Sequence, residues 1–164
     1  MKKEFITYGF KIDLNRINPE PGQKNIGFNR FVNKPDFGLW GSPTDTSYGW
    51  KEWCIDNYFK TDTLGVYTKW ELKPEANILM INSFEDFINV MDMYGKIDPR
   101  IPDMCYLDFS RIMKDFDGMW VTRNGNMECH YPQPYKKNIY IDLNAWDCDS
   151  IVVWNPEVVN VKLC

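Results

Sequence analysis

The sequence lacks most of the features that assign a function directly. No apolar run approaches 18 residues, and no apolar signal core follows Met1, so we predict a cytoplasmic protein with no membrane partner. The phosphate-binding motifs G-x-x-x-x-G-K-[ST] and G-x-G-x-x-G are absent, as is the G-x-S-x-G motif of serine hydrolases. The single histidine and the absence of zinc-ligand spacing predict that no metal is bound.

The sequence also lacks paired-cysteine motifs and basic patches. The chain has 5 cysteines, an odd number, and none of them forms a C-x-x-C motif. We therefore predict that Cys54, Cys105, Cys129, Cys148 and Cys164 are free thiols. The net charge is −4, and the two basic doublets are too short to form a patch. This charge balance disfavours binding to nucleic acid or to an anionic membrane surface.

Aromatic residues are abundant. They make up 16% of the 164 residues, with 7 Trp, 9 Tyr and 10 Phe, whereas alanine is rare. This composition argues against a simple helical bundle and favours strands together with a concave site lined by rings. The length suits one domain over residues 1–164.

Hydrophobic periodicity divides the chain into strands and helices without a linker or an internal repeat. Residues 66–72 alternate as in a half-buried strand, and the apolar run 77–81 predicts a buried strand. A variant capping box, Ser83 to Asp86, predicts the start of a helix that ends at Gly95. The other predicted strands are 4–10, 30–33, 119–122, 138–143, 151–154 and 158–161, and the other helices are 48–58 and the segment after Asp108. This order predicts an α+β fold.

The remaining local predictions concern caps, turns and loops. Asp45, Thr46 and Ser47 are candidate caps for the helix at 48–58. Asn124-Gly125 predicts a hairpin turn. Cys129 and His130 are expected to follow in a strand and to point to opposite faces, which argues against a Cys-His nucleophile pair. Residues 13–29 and 96–106 are expected to form loops, with a turn at Pro19–Gly22 in the first.

Two segments have unusual compositions. Lys34–Ser42 places Trp40 between Gly38 and Gly41, which would let a backbone approach a ligand while the indole offers a stacking face; the alternative is a tryptophan that fills the core. In Ala145–Pro156, two aspartates precede an apolar strand. If that segment is extended, Asp147 and Asp149 lie on one face, where a carboxylate could stabilise a developing sugar cation. The alternative is a solvated acidic turn.

Together these segments resemble the ADP-ribosyltransferase superfamily. The first strand, Ile6-Thr7-Tyr8-Gly9-Phe10, is similar to the opening strand of that family, and Gly38-Leu39-Trp40-Gly41-Ser42 is similar to its second motif. The strand Ile151–Pro156, with Asp149 just before it, is similar to the third motif. A segment like Leu107–Val121 precedes the last motif in small phage and bacterial proteins of this type. The resemblance implies two small packed antiparallel sheets with a cleft between them and a few flanking helices.

The resemblance also implies an activity and residue roles. It implies transfer of ADP-ribose from NAD, which is a substrate, to a protein or other macromolecular target, without a metal and in the host cytoplasm if a phage encodes the chain. The catalytic carboxylate would be Asp149, with Asp147 as second choice or as activator of the acceptor, although Ser150 could occupy the same position. The residues expected to bind NAD are Tyr8, Gly9, Lys34 at the diphosphate, Trp40, Ser42 at the ribose, and Trp50.

The sequence departs from the family pattern at two positions and leaves two other functions open. The first strand carries Thr7 and Tyr8 where the family has His or Arg, and aspartate stands in place of the catalytic glutamate. One alternative is a non-catalytic acidic protein that binds and inhibits a host or partner protein, because exposed Trp and Tyr dominate interface hot spots. Another is a carbohydrate-active enzyme that pairs Asp147 or Asp149 with a distant acid such as Glu128.

Overall fold

A seven-stranded mixed sheet forms the centre of the fold in a computed structural model that describes residues 3–17, 26–27, 30–31 and 33–162. The strands in chain order are β1 (Glu4–Tyr8), β2 (Ile26–Gly27), β3 (Arg30–Phe31), β4 (Leu39–Pro43), β5 (Tyr67–Leu72), β6 (Ile78–Ile81), β7 (Gly95–Ile97), β8 (Cys105–Leu107), β9 (Gly118–Val121), β10 (Gln133–Lys136), β11 (Ile139–Ile141), β12 (Ser150–Val153) and β13 (Val159–Val161). The order across the sheet is β13-β5-β1-β4-β12-β9-β6, and only β6 and β9 run parallel. The pairs β2-β3, β7-β8 and β10-β11 form separate two-stranded sheets.

Four helices in the described part of the chain accompany the sheet, which confirms the predicted α+β class. They are α1 (Trp50–Asp56), α2 (Phe84–Tyr94), α3 (Phe109–Asp115) and α4 (Arg123–Cys129). Single 3-10 turns occur at Leu14–Arg16, Thr61–Thr63 and Pro156–Val158. Every helix in the described ranges is too short to span a bilayer, the longest having 11 residues.

The alternation in β5 and the apolar run in β12 agree with the burial of these two strands. In β5, Thr68 and Trp70 are buried as the pattern predicts. In β12, Ile151 and Val153 face one core while Val152 faces the other, so a continuous apolar run is needed at this central strand. The first core contains α2 and its buried face of Phe87, Val90, Met91 and Tyr94; the second contains Phe5 and Trp70.

The prediction of two packed antiparallel sheets is wrong, because the seven strands form one continuous sheet. The joint between its two halves is weak. β1 pairs with β4 only through Phe5–Pro43 and Ile6–Ser42. Past Ile6 the Thr7 hydroxyl donates to the Trp40 carbonyl at 2.6 Å and accepts from the Trp70 indole at 3.0 Å. A side chain thus replaces the ladder hydrogen bonds, and a cleft opens where the two strands separate.

The predicted hairpin at Asn124-Gly125 is wrong, because both residues lie in α4. Thr122 caps this helix, since its hydroxyl accepts from the Gly125 amide at 3.2 Å. A Cβ on Gly125 would lie 2.2 Å from the Ile81 carbonyl oxygen, so glycine is needed here for close packing rather than for a turn. The strand expected for Cys129 and His130 is also wrong: α4 ends at Cys129, and His130 is its C-cap.

Other local predictions need smaller corrections. β6 is an edge strand with Met80 52% exposed, not a buried strand, although Leu79 and Ile81 are buried. Helix α1 is capped by Gly49, whose amide donates to Glu52, rather than by Asp45, Thr46 or Ser47. Ser83 caps α2 as predicted. The loop 96–106 includes parts of β7 and β8, and the loop 13–29 includes β2.

Four of the five cysteines are free and buried, as predicted: Cys54, Cys105, Cys129 and Cys148. Cys164 and the turn at Pro19–Gly22 lie outside the described residues.

Candidate functional site

A cavity of about 590 Å³ lies at the weak joint of the sheet. Its walls come from β1 and the residues after it, from β4, from the start of α1, and from the segment before β12. The volume is in the range of small-molecule sites. The residues that line it include Tyr8, Gly9, Phe10, Lys34, Trp40, Ser42, Trp50, Lys60, Asp62, Thr63, Asp147, Cys148 and Ser150.

Seven of the eight residues proposed from the sequence line this one cavity. They are Tyr8, Gly9, Lys34, Trp40, Ser42, Trp50 and Asp147. They come from four segments spread over about 140 positions of the chain, so the fold brings together residues that local spacing does not connect.

Asp149 does not line the cavity. Its carboxylate accepts a hydrogen bond from the Trp120 indole at 2.7 Å, and its side chain is buried. The prediction that Asp147 and Asp149 share one face assumed an extended segment, but the chain bends at Cys148 and Asp149 before β12 begins. The bend sends the two carboxylates to different places, and Asp149 has a structural partner.

Lys34, Asp147 and Trp40 form a cluster on the cavity wall. The Lys34 ammonium donates to the Ala145 carbonyl at 2.7 Å and lies 3.8 Å from Asp147 Oδ2. The same ammonium lies 4.9 Å from the centre of the Trp40 ring, and Trp40 packs against Trp146. Burial lowers the pKa of Lys34, while the Asp147 charge opposes this change. The cluster therefore combines a cation, an anion and a ring face.

A buried hydrogen-bond network holds this cluster in place through Asn33, which the sequence did not indicate. The Asn33 side chain donates to the Asp142 carbonyl at 2.8 Å and accepts from the Leu107 amide at 2.7 Å. The Asn33 carbonyl accepts from the Trp146 indole at 2.5 Å. These contacts join positions more than 70 residues apart, which no local motif could reveal.

Ser42 and Cys148 occupy the floor of the cavity near the start of α1. The Ser42 hydroxyl accepts from the Trp50 amide at 2.9 Å, so its oxygen supports the helix. Cys148 Sγ lies 3.1 Å from Ser150 Oγ, and burial raises the pKa of the Cys148 thiol to about 11. The thiol is therefore protonated near neutral pH and is a poor nucleophile.

An aromatic cluster surrounds Trp50, which lines the cavity. Trp50 stacks on Trp53 with ring centres 5.0 Å apart, and Phe59 packs edge-on against both rings. Tyr58 and Lys60, on either side of Phe59, have positive φ angles of 52° and 45°. Few residues other than glycine adopt this conformation, and such strain is common at functional sites.

A smaller cavity of about 170 Å³ adjoins the first one. The two cavities share Ile6, Tyr8, Ser42 and Trp50, and the smaller one is also lined by Lys51, Glu52 and Lys69. Desolvation raises the pKa of Tyr8 between the two cavities, and the nearby Glu52 charge raises it further.

Glu128, the distant acid considered for a glycosidase pair, has a structural partner outside the cavity. Its carboxylate accepts from the Phe84 amide at 2.8 Å at the start of α2 and from Asn124 at 3.0 Å. Within the described ranges, no three His, Cys, Asp or Glu side chains form a group suited to holding a metal ion.

Comparisons with known proteins add no assignment. No family model, no curated protein and no solved structure matches this chain.

Proposed function

We propose that the large cavity binds NAD and that the protein transfers ADP-ribose from it to a macromolecular target, as the resemblance to ADP-ribosyltransferases implies. The observation that supports this most is the convergence of Tyr8, Trp40, Trp50 and Asp147 on one cavity of about 590 Å³. The rings offer stacking faces for nicotinamide or adenine. Asp147 takes the role that the sequence first suggested for Asp149.

The proposed chemistry requires one fixed carboxylate. The bond between ribose C1′ and the nicotinamide nitrogen breaks, its electron pair leaves with nicotinamide, and the ribose ring becomes positively charged. A carboxylate beside that ring lowers the barrier electrostatically. The acceptor then forms the new bond to C1′ and releases a proton. Asp147 is half-buried on the wall, where partial exclusion of water strengthens its field.

The test replaces Asp147 and, as a control, Asp45 under the same conditions. Asp147→Asn keeps the size of the side chain but removes its charge, so labelling of a cell lysate with labelled NAD should fall about 100-fold. Asp45→Asn is the control, because this exposed aspartate pairs with Lys3 at 2.7 Å and lies outside the cavity. Undiminished labelling by the Asp147 variant would remove that residue from the role.

A second candidate function is partner binding without catalysis. Among the described residues, three exposed aromatic side chains lie at the cavity: Phe10 lines it, and Phe59 and Tyr67 pack against the lining residues Trp50 and Tyr8. Tyr58 is 93% exposed. Apolar residues concentrated in this way are typical of protein interaction sites.

Binding of NAD separates the two candidates. A ligand that binds only the folded state raises the melting temperature, and the cavity tryptophans should report its binding by fluorescence. A shift at millimolar NAD supports the enzyme. No shift and no fluorescence change at that concentration would favour the partner-binding protein.

A further inference from the structure

Lys34 and Asp147 present a hydrogen-bond donor and acceptor side by side on the cavity wall. Their charged atoms are 3.8 Å apart, and each side chain keeps about 30% of its surface exposed. An ammonium has three N–H donors. One of those on Lys34 is committed to the Ala145 carbonyl, and another faces Asp147. Within the described part of the chain, Asp147 Oδ1 accepts no hydrogen bond, so both side chains retain capacity for a ligand.

This arrangement is poorly suited to a phosphate at Lys34, where the sequence placed the diphosphate. A phosphate close enough to contact Lys34 would also meet the Asp147 carboxylate, which is only 3.8 Å from the ammonium. Repulsion between the two anions would offset much of the attraction to the lysine. The position therefore favours a neutral group that accepts a hydrogen bond from Lys34 and donates one to Asp147.

A primary carboxamide has that combination. Its oxygen accepts one hydrogen bond and its nitrogen donates two. We propose, resting on the proposed function, that Lys34 donates to the carboxamide oxygen of nicotinamide while Asp147 accepts from the carboxamide nitrogen, with the pyridine ring against Trp40. Asp147 has two oxygens and about four acceptor positions, so the same carboxylate can also face the ribose.

The proposal orients the whole dinucleotide. With nicotinamide at Trp40, the phosphates would need another cation, and Lys60 also lines the cavity. No ion pair of Lys60 occurs in the described ranges; its ammonium lies 5.2 Å from the Phe59 ring centre. Lys60 is therefore not committed to a carboxylate, whereas Lys34 is already paired with Asp147; the Asp62 carboxylate also lines the cavity.

The experiment compares ligands that differ only at the carboxamide. Affinities of NAD and of nicotinic acid adenine dinucleotide, which has a carboxylate there, are measured by tryptophan fluorescence or calorimetry, and nicotinamide is compared with nicotinate in parallel. The wild-type protein should prefer each amide by about tenfold, since the acid places a second carboxylate against Asp147. Asp147→Asn should remove or reverse the preference, because the asparagine amide can donate to the acid.

Two further variants control the result. Lys34→Met should weaken both members of each pair, whereas Lys60→Met should weaken the dinucleotides but leave the amide-to-acid ratio unchanged. The readout is a ratio measured on one sample, so partial unfolding of a variant does not alter it.

Equal wild-type affinity for amide and acid, or an unchanged ratio in Asp147→Asn, would overturn the carboxamide proposal while NAD binding stands. Binding of nicotinamide over nicotinate without any binding of NAD would support the carboxamide site and overturn the proposed function.

Discussion

The cavity region and the helix-covered core use aromatic residues in different ways. Under α2 and α3, Phe87 and Phe109 are buried among apolar side chains and contribute by removing surface from water. At the cavity, Trp40 and Trp50 are only partly buried, and Lys34 and Asp147 lie beside Trp40. The same residue types therefore stabilise the fold in one region and leave ring faces available to a ligand in the other.

The difference also shows how each region is held together. The core at α2 depends on the close packing of apolar side chains. The cavity wall depends on hydrogen bonds from Asn33 and Thr7 that span the sheet joint and the loop before β12. Substitutions in the two regions should consequently separate stability from ligand binding.

The largest expected effect is on stability, in the core. Phe87→Ala removes a fully buried ring and should lower the free energy of unfolding by about 3–5 kcal/mol. Trp50→Ala at the cavity should cost less, because that ring is partly exposed, yet it should weaken NAD binding more. Urea denaturation and an NAD titration of the folded fraction measure the two quantities. A larger stability loss from Trp50→Ala than from Phe87→Ala would break the comparison.

An intermediate effect is expected at the two neighbouring aspartates. Asp149→Ala leaves the Trp120 indole without its acceptor and should cost about 1–3 kcal/mol of stability with little loss of NAD-dependent labelling. Asp147→Ala removes only a partly exposed 3.8 Å ion pair and should cost less than about 1 kcal/mol while labelling is lost. Thermal denaturation and lysate labelling of both variants test this; the reverse pattern would return the catalytic role to Asp149.

The smallest effect is expected in the ion-pair cluster of Glu4, Lys69 and Lys162 at the start of β1. Hydrogen bonds from Lys162 and Lys69 lower the pKa of Glu4 from 4.5 to about 2. A lowered pKa means that this stabilisation is complete above pH 4.5 and is lost as the pH falls toward 2. Glu4→Gln should flatten the dependence of melting temperature on pH in that interval, by less than about 1 kcal/mol because the cluster is solvent-accessible. An identical pH profile in the variant would contradict it.

Prediction from sequence worked best where a local pattern reports burial. Alternation identified β5, and the apolar run identified β12 at the centre of the sheet. It failed at Asn124-Gly125, where the local turn signal was overridden by the Thr122 cap and by the contact of Gly125 with the Ile81 backbone. Turn propensity is worth little against a capped helix packed closely on the sheet.

The sequence predicted most of the residues that line the candidate site but not how they are arranged in space. Seven residues chosen from the sequence line the cavity. Four of them belong to the two segments of unusual composition, and Tyr8, Gly9 and Trp50 came from the resemblance. Asn33 was missed, since an asparagine in a loop gives no signal until Asp142 and Leu107 are next to it. The predicted common face of Asp147 and Asp149 is wrong, because the chain bends at Cys148 and Asp149 and only Asp147 lines the cavity.

The sequence by itself determined the α+β class, the free cysteines among those described, most strands and three of the four helices, because periodicity and capping act over a few residues. Only the tertiary structure decided that the strands form a single sheet with a weak joint between β1 and β4, that the cavity opens there, and that Asp147 rather than Asp149 lines it. Those outcomes depend on contacts between residues tens of positions apart, whose free energies appear only when the chain is folded.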